Sequence, residues 1–316
     1  MRKSQVGNYV AGCAQLATLL EVSAYPKPGN VHRLHDFMTT KYEHFLAGSI
    51  ALSPSINKLA QAGFDIKAGH KTWEELRLGN CVYSAIKNSF KWQSGGNVNL
   101  GIVLLFAPIA VAAGYILRDE SIRVDDLIQV ANKTMKSTTP KDAVSVYRSI
   151  RYSMTDKVLG SASDLDVNEK SSIKQILRDK INLYDVFIKC AERDTICKEW
   201  ITGYSITAKE GYPYLVEAIK SSRNINTATI DTFLYLLSQN PDSLIVRKND
   251  LMTAKYVSDR AREILNHGGY GSQTGRNLTE KLDLDLQGTD GLLNPGTTAD
   301  LTAASLFLLL LSGWRY

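Results

Sequence analysis

The sequence predicts an all-α protein, a multi-helix globular domain built around one central buried helix. Three observations predict it. Apolar residues recur at helical spacing through most of the chain; no run alternates with the period of a strand; and one stretch, Leu100 to Leu117, is apolar on every side. No βαβ rhythm or internal repeat is present, and glycines and prolines interrupt helices without marking a linker. Residues 1–316 are therefore read as a single all-helical domain, roughly ten or more helices in one body or in two closely packed lobes.

The elements follow in order. Val6 to Val22 carries Val10, Cys13, Ala14, Leu16, Ala17 and Leu20 on one helical face, closed by Glu21 and Ser23. Tyr42 to Ala60 is periodic again, with Pro54 expected to kink or divide it. Residues 73 to 92 read as an amphipathic helix through Trp73, Leu76, Val82 and Ile86. The loop Gly95-Gly96-Asn97-Val98-Asn99 then feeds the apolar helix at Leu100, whose free N–H groups and positive dipole end suit an anion; a plain glycine-rich connection explains it equally well. Asp142 to Tyr152, Lys174 to Cys190, Asp194 to Leu215 and Ile230 to Leu237 continue the helical pattern. Between the first two, Val158 to Asn168 is polar, with Asp164 and Asp166 two apart. Asn240-Pro241-Asp242 is a turn, and Ala254 to Leu265 is a helix stopped by Gly268-Gly269. Gly268 to Arg276 is glycine-rich but lacks the P-loop arrangement of glycine, lysine and hydroxyl. In the last stretch, Asn294-Pro295-Gly296 turns into a helix that Thr297 or Thr298 is expected to cap, with Asp300 in its first turn.

Composition narrows the function. Hydrophobic residues make up 44% and charged residues 22%, enough for a large core, and the net charge of +5 is spread without the dense basic runs of a nucleic-acid arm. An anionic small molecule suits that balance; no nucleic-acid partner is expected. Leu100 to Leu117 barely reaches spanning length and contains Pro108, so it reads as a buried helix and no membrane span is expected. The four cysteines (Cys13, Cys81, Cys190, Cys197) show no metal-finger spacing and sit among apolar neighbours, which suggests reduced core cysteines in the cytoplasm. The basic start of the chain is not followed by an apolar signal core.

One stretch carries most of the chemistry: Tyr25-Pro26-Lys27-Pro28-Gly29-Asn30-Val31-His32-Arg33-Leu34-His35-Asp36-Phe37. Its prolines and Gly29 make a rigid turn. Its cations, amide, imidazoles and carboxylate make a poor core and a plausible holder for a phosphorylated ligand with its metal, against the bland reading of a solvated, kinked loop.

Three stretches together resemble the CitG family, the triphosphoribosyl-dephospho-CoA synthases: Glu21 through Phe37 (EVSAYPKPGNVHRLHDF), Asn97 through Ala107 (NVNLGIVLLFA) and Asn294 through Ala304 (NPGTTADLTAA). Asp142 to Tyr147 with Ile150-Arg151, Leu165-Asp166-Val167 and Pro241 to Lys248 support it, so the resemblance covers nearly the whole chain. It implies an all-helical fold and a transferase that joins ATP to 3′-dephospho-CoA, releases adenine, and leaves a triphosphate-bearing ribose on the acceptor's ribose hydroxyl, the precursor of a prosthetic group. Where bacterial citrate-lyase members show a Thr-His-Lys-Gly-like stretch, this chain has Val98-Asn99-Leu100-Gly101. That departure places it closer to an archaeal-type branch, for which the acceptor is not to be assumed.

Displacing adenine from C1′ of ATP passes through an oxocarbenium-like transition state, so such a site neutralises the triphosphate, takes the hydroxyl proton and assists the purine's departure. Glu21, Asp36 and Asp300 are the candidate carboxylates for Mg²⁺. Lys27, His32, Arg33, Arg151, Arg247 and Lys248 are candidate phosphate contacts. Asn30, Asn97, Asn99 and Asn294, with Thr297 and Thr298, are candidates to orient the substrates. Asp36 is the expected base, or His35 if Asp36 holds metal; a surface salt bridge is the competing role for each single cation. Two other classes stay open. His35-Asp36 is similar to the pair of HD metal-dependent phosphohydrolases, with Asp300 as a distant carboxylate, but no histidine precedes His32 to complete that set. A non-catalytic nucleotide- or CoA-binding module would keep Lys27 and Arg247 and need no paired carboxylates. The apolar segment Leu301 to Leu311 packs either in the core or against a second subunit, so a homodimer is allowed.

Overall fold

The structure is a computed structural model that describes residues 1–117, 121–154 and 164–315. Among these are fifteen α-helices and no strand: α1 (Lys3–Ser23), α2 (Tyr42–Lys67), α3 (Leu78–Trp92), α4 (Leu100–Ile116), α5 (Val124–Lys136), α6 (Pro140–Ser153), α7 (Lys170–Arg178), α8 (Leu183–Cys190), α9 (Thr195–Thr202), α10 (Tyr212–Ser222), α11 (Ile225–Gln239), α12 (Ser243–Lys248), α13 (Leu251–Asn266), α14 (Gln273–Gln287) and α15 (Gly296–Leu311), with a π-turn, Thr207–Gly211, leading into α10.

The all-round apolar α4 is the centre the sequence predicts, with every residue from Ile102 to Gly114 buried. Pro108 lies inside it and cannot donate to the Leu104 carbonyl, so that acceptor needs another partner. Trp200 Nε1 supplies it at 3.1 Å, and Tyr204 OH donates to the Leu105 carbonyl at 2.7 Å, which fixes α9 and the following turn against the helix. Further along, α2 meets α4 at backbone contact, because a Cβ at Gly63 would strike the Val111 carbonyl and one at Gly114 the Ala60 carbonyl. Around α4, helices α1, α2, α3, α6 and α15 close the larger apolar core, while α11, α13 and α14 enclose a smaller one.

Several expectations change. Pro54 does not divide α2, which runs on to Lys67. The helix read from residue 73 begins at Leu78, with Trp73 to Arg77 outside it. Lys174 to Cys190 is two helices, and Asp194 to Leu215 breaks at Gly203, where the chain turns left-handed. Helices α5 and α14 had no counterpart in the periodicity reading. Leu301 to Leu311 is buried within the chain, so it is core and offers no face to a second subunit. Cys190 and Cys197 form a disulfide, which corrects the reading of four reduced cysteines; Cys13 and Cys81 take part in no disulfide. Of the polar stretch Val158 to Asn168, residues 158–163 lie outside the described residues. No described helix is long and apolar enough to cross a membrane.

Candidate active site

The N-terminal ends of α4, α12 and α15 converge on a cavity of about 1160 Å³. That exceeds the roughly 300–1,000 Å³ usual for one ligand and leaves space for two substrates. Its polar wall contains Glu21, Asn30, Asn97, Asn99, Asp194, Arg247, Lys248, Asn294, Thr297 and Asp300; its apolar wall contains Leu104, Ile150, Met154, Val186 and Phe187.

Each wall residue is placed by local chemistry. Asn97 Oδ1 accepts from Leu100 N at 3.0 Å and starts α4, while Asn99 Nδ2 donates to the Gly48 carbonyl at 3.1 Å. Asp242 joins two helix starts. Its Oδ1 accepts from Leu244 N and Ile245 N on α12, and its Oδ2 accepts from Thr298 N at 2.7 Å and Thr298 Oγ1 at 2.8 Å. Neither Thr297 nor Thr298 caps α15, and Asp300 lies beyond its first turn; both caps expected from sequence give way to Asp242, supplied from 56 residues upstream. Asp194 caps α9 and accepts from Arg247 Nη1 at 3.1 Å. Lys248 Nζ donates to the Gly291 carbonyl at 2.7 Å, and burial beside Arg247 holds its pKa down.

Asp300 stands apart from these neighbours. It lines the cavity and has no hydrogen-bond or ion-pair partner among the described residues, and its carboxylate rests against Gly101 in the first turn of α4. Burial drives its pKa well above the ordinary carboxylate range, and the charges of Glu21, Asp242 and Asp194 add to the rise; Lys27 offsets part of it. Glu21 is deeper and ion-paired with the buried Lys27, whose Nζ also donates to the Glu21 carbonyl at 3.1 Å. Burial raises the Glu21 pKa, opposed by Lys27.

The Pro-Gly turn is used differently from its composition. Only Asn30 and Phe37 from Tyr25–Phe37 reach the cavity. Lys27 is spent on Glu21. His32 is buried with Nε2 3.0 Å from Asp283 Oδ2, and Gly29 N donates to Asp283 Oδ1 at 3.1 Å, so α14 holds the turn. Arg33 lies over the Tyr25 ring in solvent. His35 is tied by its backbone to His32, and the exposed Asp36 accepts from Tyr42 N at 2.8 Å; neither lines the cavity. Arg151 donates through Nε to the Val167 carbonyl and is also outside the lining. Thr298 is held by Asp242. The structure thus gathers Glu21, Asn30, Asn97, Asn99, Arg247, Lys248, Asn294, Thr297 and Asp300, and leaves Lys27, His32, Arg33, His35, Asp36, Arg151 and Thr298 off the wall. Asp194 and Asp242 were missed; Asp-x-x just ahead of an apolar run was the capping signal that marked both.

Three stretches widely separated in sequence therefore share one cavity. The family described as CitG, ATP:dephospho-CoA triphosphoribosyl transferase, matches residues 7–316. The chain belongs to this family. Two CitG relatives, the 2-(5″-triphosphoribosyl)-3′-dephosphocoenzyme-A synthases of Pectobacterium atrosepticum and Klebsiella pneumoniae, are 23% and 21% identical to it. The alignments cover 92% and 95% of this chain and 85% and 89% of the relatives. The fold is similar to the crystal structure of a candidate triphosphoribosyl-dephospho-CoA synthase from Archaeoglobus fulgidus, with TM-score 0.62 and 24% identity, covering 85% of this chain and 100% of that one. A transferase of the CitG kind thus has residues of all three stretches on the wall of one cavity, the unpartnered Asp300 carboxyl among them.

Proposed function

We propose that the protein transfers the 5-triphosphoribosyl group of ATP to a ribose hydroxyl of 3′-dephospho-CoA or a closely related acceptor, in the cytoplasm, with release of adenine. The bond from C1′ to adenine breaks, a bond from C1′ to the acceptor oxygen forms, and the hydroxyl proton is balanced by the proton that the departing purine takes up. The observation that carries this reading is Asp300, an unpartnered carboxyl in a two-substrate cavity whose wall also holds cations and amides.

Two cavity-lining residues have buried polar atoms with no hydrogen-bond partner among the described residues, Arg247 Nε and Asn294 Oδ1. A triphosphate oxygen satisfies the first, and a ribose hydroxyl or the adenine amino group satisfies the second. Arg247 and Lys248 hold the triphosphate, Arg247 through its planar fork. Asn97, Asn99 and Asn30 border the sugar. Asp36, exposed on its turn, and the half-buried His35 lie off the cavity wall and are assigned no step.

Mg²⁺ fits this donor set in one way. No group of three potential ligands forms among the described residues, so the protein offers no cage of its own. Glu21 and Asp300, crowded by further carboxylates, suit a cation that arrives on the triphosphate and takes the rest of its shell from phosphate and water. Bound there, it supplies charge neutralisation on the triphosphate. The His35-Asp36 pair lies off the cavity wall, which takes support from a phosphohydrolase of the HD kind.

The test is adenine release. With ATP, Mg²⁺ and dephospho-CoA the protein frees adenine in step with a triphosphoribosylated product. Release of phosphate with the base retained would indicate a phosphohydrolase, and no release would leave a binding module.

A further inference from the structure

Cys190 ends α8, Cys197 is the third residue of α9, and their disulfide closes the loop between the two helices. Both cysteines line the active-site cavity. The closed loop carries Asp194, which caps α9 with one oxygen and holds Arg247 with the other. Thr195 N also donates to Ser243 Oγ at 3.3 Å, and Ser243 Oγ meets Thr297 Oγ1 at 3.1 Å. The disulfide therefore staples the wall that positions the triphosphate cation. Thiol exchange requires access to a disulfide sulfur, and this disulfide borders a cavity sized for substrates.

We propose that Cys190–Cys197 is a thiol-exchange site in the cavity wall, which takes a low-molecular-weight thiol and loosens the Asp194–Arg247 contact when it opens. Cys190 is half-buried and Cys197 is 7% exposed, so the incoming thiolate attacks Cys190 Sγ. The S–S bond breaks, its electron pair leaves on Cys197, and a mixed disulfide forms on Cys190. Attack on Cys190 makes Cys197 the leaving thiol. A second thiolate then displaces Cys190. In the net reaction two thiols are oxidised to one disulfide, the protein disulfide is reduced by two electrons, and the two thiol protons end on Cys190 and Cys197.

The thiol has two sources. Dephospho-CoA carries one into the cavity, an assignment that rests on the proposed transfer reaction; glutathione is the other and does not depend on it. The experiment incubates the oxidised full-length protein with either thiol at equal millimolar concentration. It maps adducts and alkylated cysteines by peptide mass and follows adenine release in parallel. The expected result is an adduct on Cys190, forming faster with dephospho-CoA, with Cys197 alkylated. Full reduction raises the KM for ATP about tenfold, the effect of losing one charge-assisted contact, with kcat within about twofold. A Cys190→Ser/Cys197→Ser variant shows the higher KM whatever the reductant. Four alkylatable thiols in the folded, air-oxidised protein would overturn the proposal. So would a disulfide that resists both thiols until denaturant is added, or a KM for ATP indifferent to reduction. An adduct on Cys190 without adenine release supports the exchange site and overturns the transfer reaction; adenine release without exchange does the reverse.

Discussion

A side chain at position 101 and the carboxylate of Asp300 occupy the same space: a Cβ built on Gly101 collides with Asp300 Oδ2. Glycine there lets a residue of α15 lie directly on the first turn of α4. Gly101→Ala therefore separates stability from activity. Alanine gains about 0.5–1 kcal/mol in a helix, and the mobile end of Asp300 swings away. Adenine release falls at least ~10²-fold, while urea unfolding shows stability unchanged or slightly raised.

Asp300 gives a pH signature. An acid whose folded-state pKa is raised holds its proton more tightly when folded, so stability falls as pH rises from the unfolded value through the folded one. Asp300→Asn removes that loss and makes the protein more stable at neutral pH than the parent. In the parent the carboxyl loses its proton when a cation binds, so apparent Mg²⁺ affinity with ATP rises with pH; the asparagine variant lacks this slope. Isothermal titration at several pH values reads it.

Asp231, away from the cavity, provides a control. Burial raises its pKa from 3.8 to about 6, opposed by the bond from Tyr270 N. Stability contributed at this position falls as pH rises from about 4 to about 6, and Asp231→Asn is more stable than the parent above that window by on the order of 3 kcal/mol. Thermal melts between pH 4 and 8 check this, with adenine release unchanged.

Asp242→Ala strips the caps from α12 and α15 together and leaves buried N–H groups unpaired. The expected loss is about 2–4 kcal/mol, seen as a lower urea midpoint at unchanged slope.

Arg247→Lys keeps the charge but loses the planar fork that reaches Asp194 and that the proposed function assigns to the triphosphate. The KM for ATP rises about tenfold, and steady-state kinetics with saturating acceptor measures it.

The fold was legible where one signal dominates. The unbroken apolar run of α4 and the spacing in α1 declared themselves, because burial on one or all sides leaves a periodic trace. Helix α14 was lost because most of its residues face solvent and its apolar positions are sparse, whereas α5 carries Val124, Leu127, Ile128, Ala131 and Met135 at helical spacing and was legible. The place of Asp300 on the cavity wall was legible through its motif. The cations of the Pro-Gly turn misled because composition does not reveal partners: Lys27 is claimed by Glu21 and His32 by Asp283, the latter from a helix the periodicity did not show. Asp36 looked catalytic for the same reason, and it serves the start of α2 through Tyr42 N. The Cys190–Cys197 pairing was invisible because nothing in a seven-residue separation distinguishes a bridge from two core thiols.

The most direct measurement compares adenine release by the parent, Asp300→Asn and Asp36→Asn under saturating ATP, Mg²⁺ and dephospho-CoA. The account predicts that the parent turns over, that Asp300→Asn loses at least ~10²-fold, and that Asp36→Asn stays within about threefold. An inactive Asp36→Asn beside an active Asp300→Asn would move the chemistry out of the cavity and contradict it.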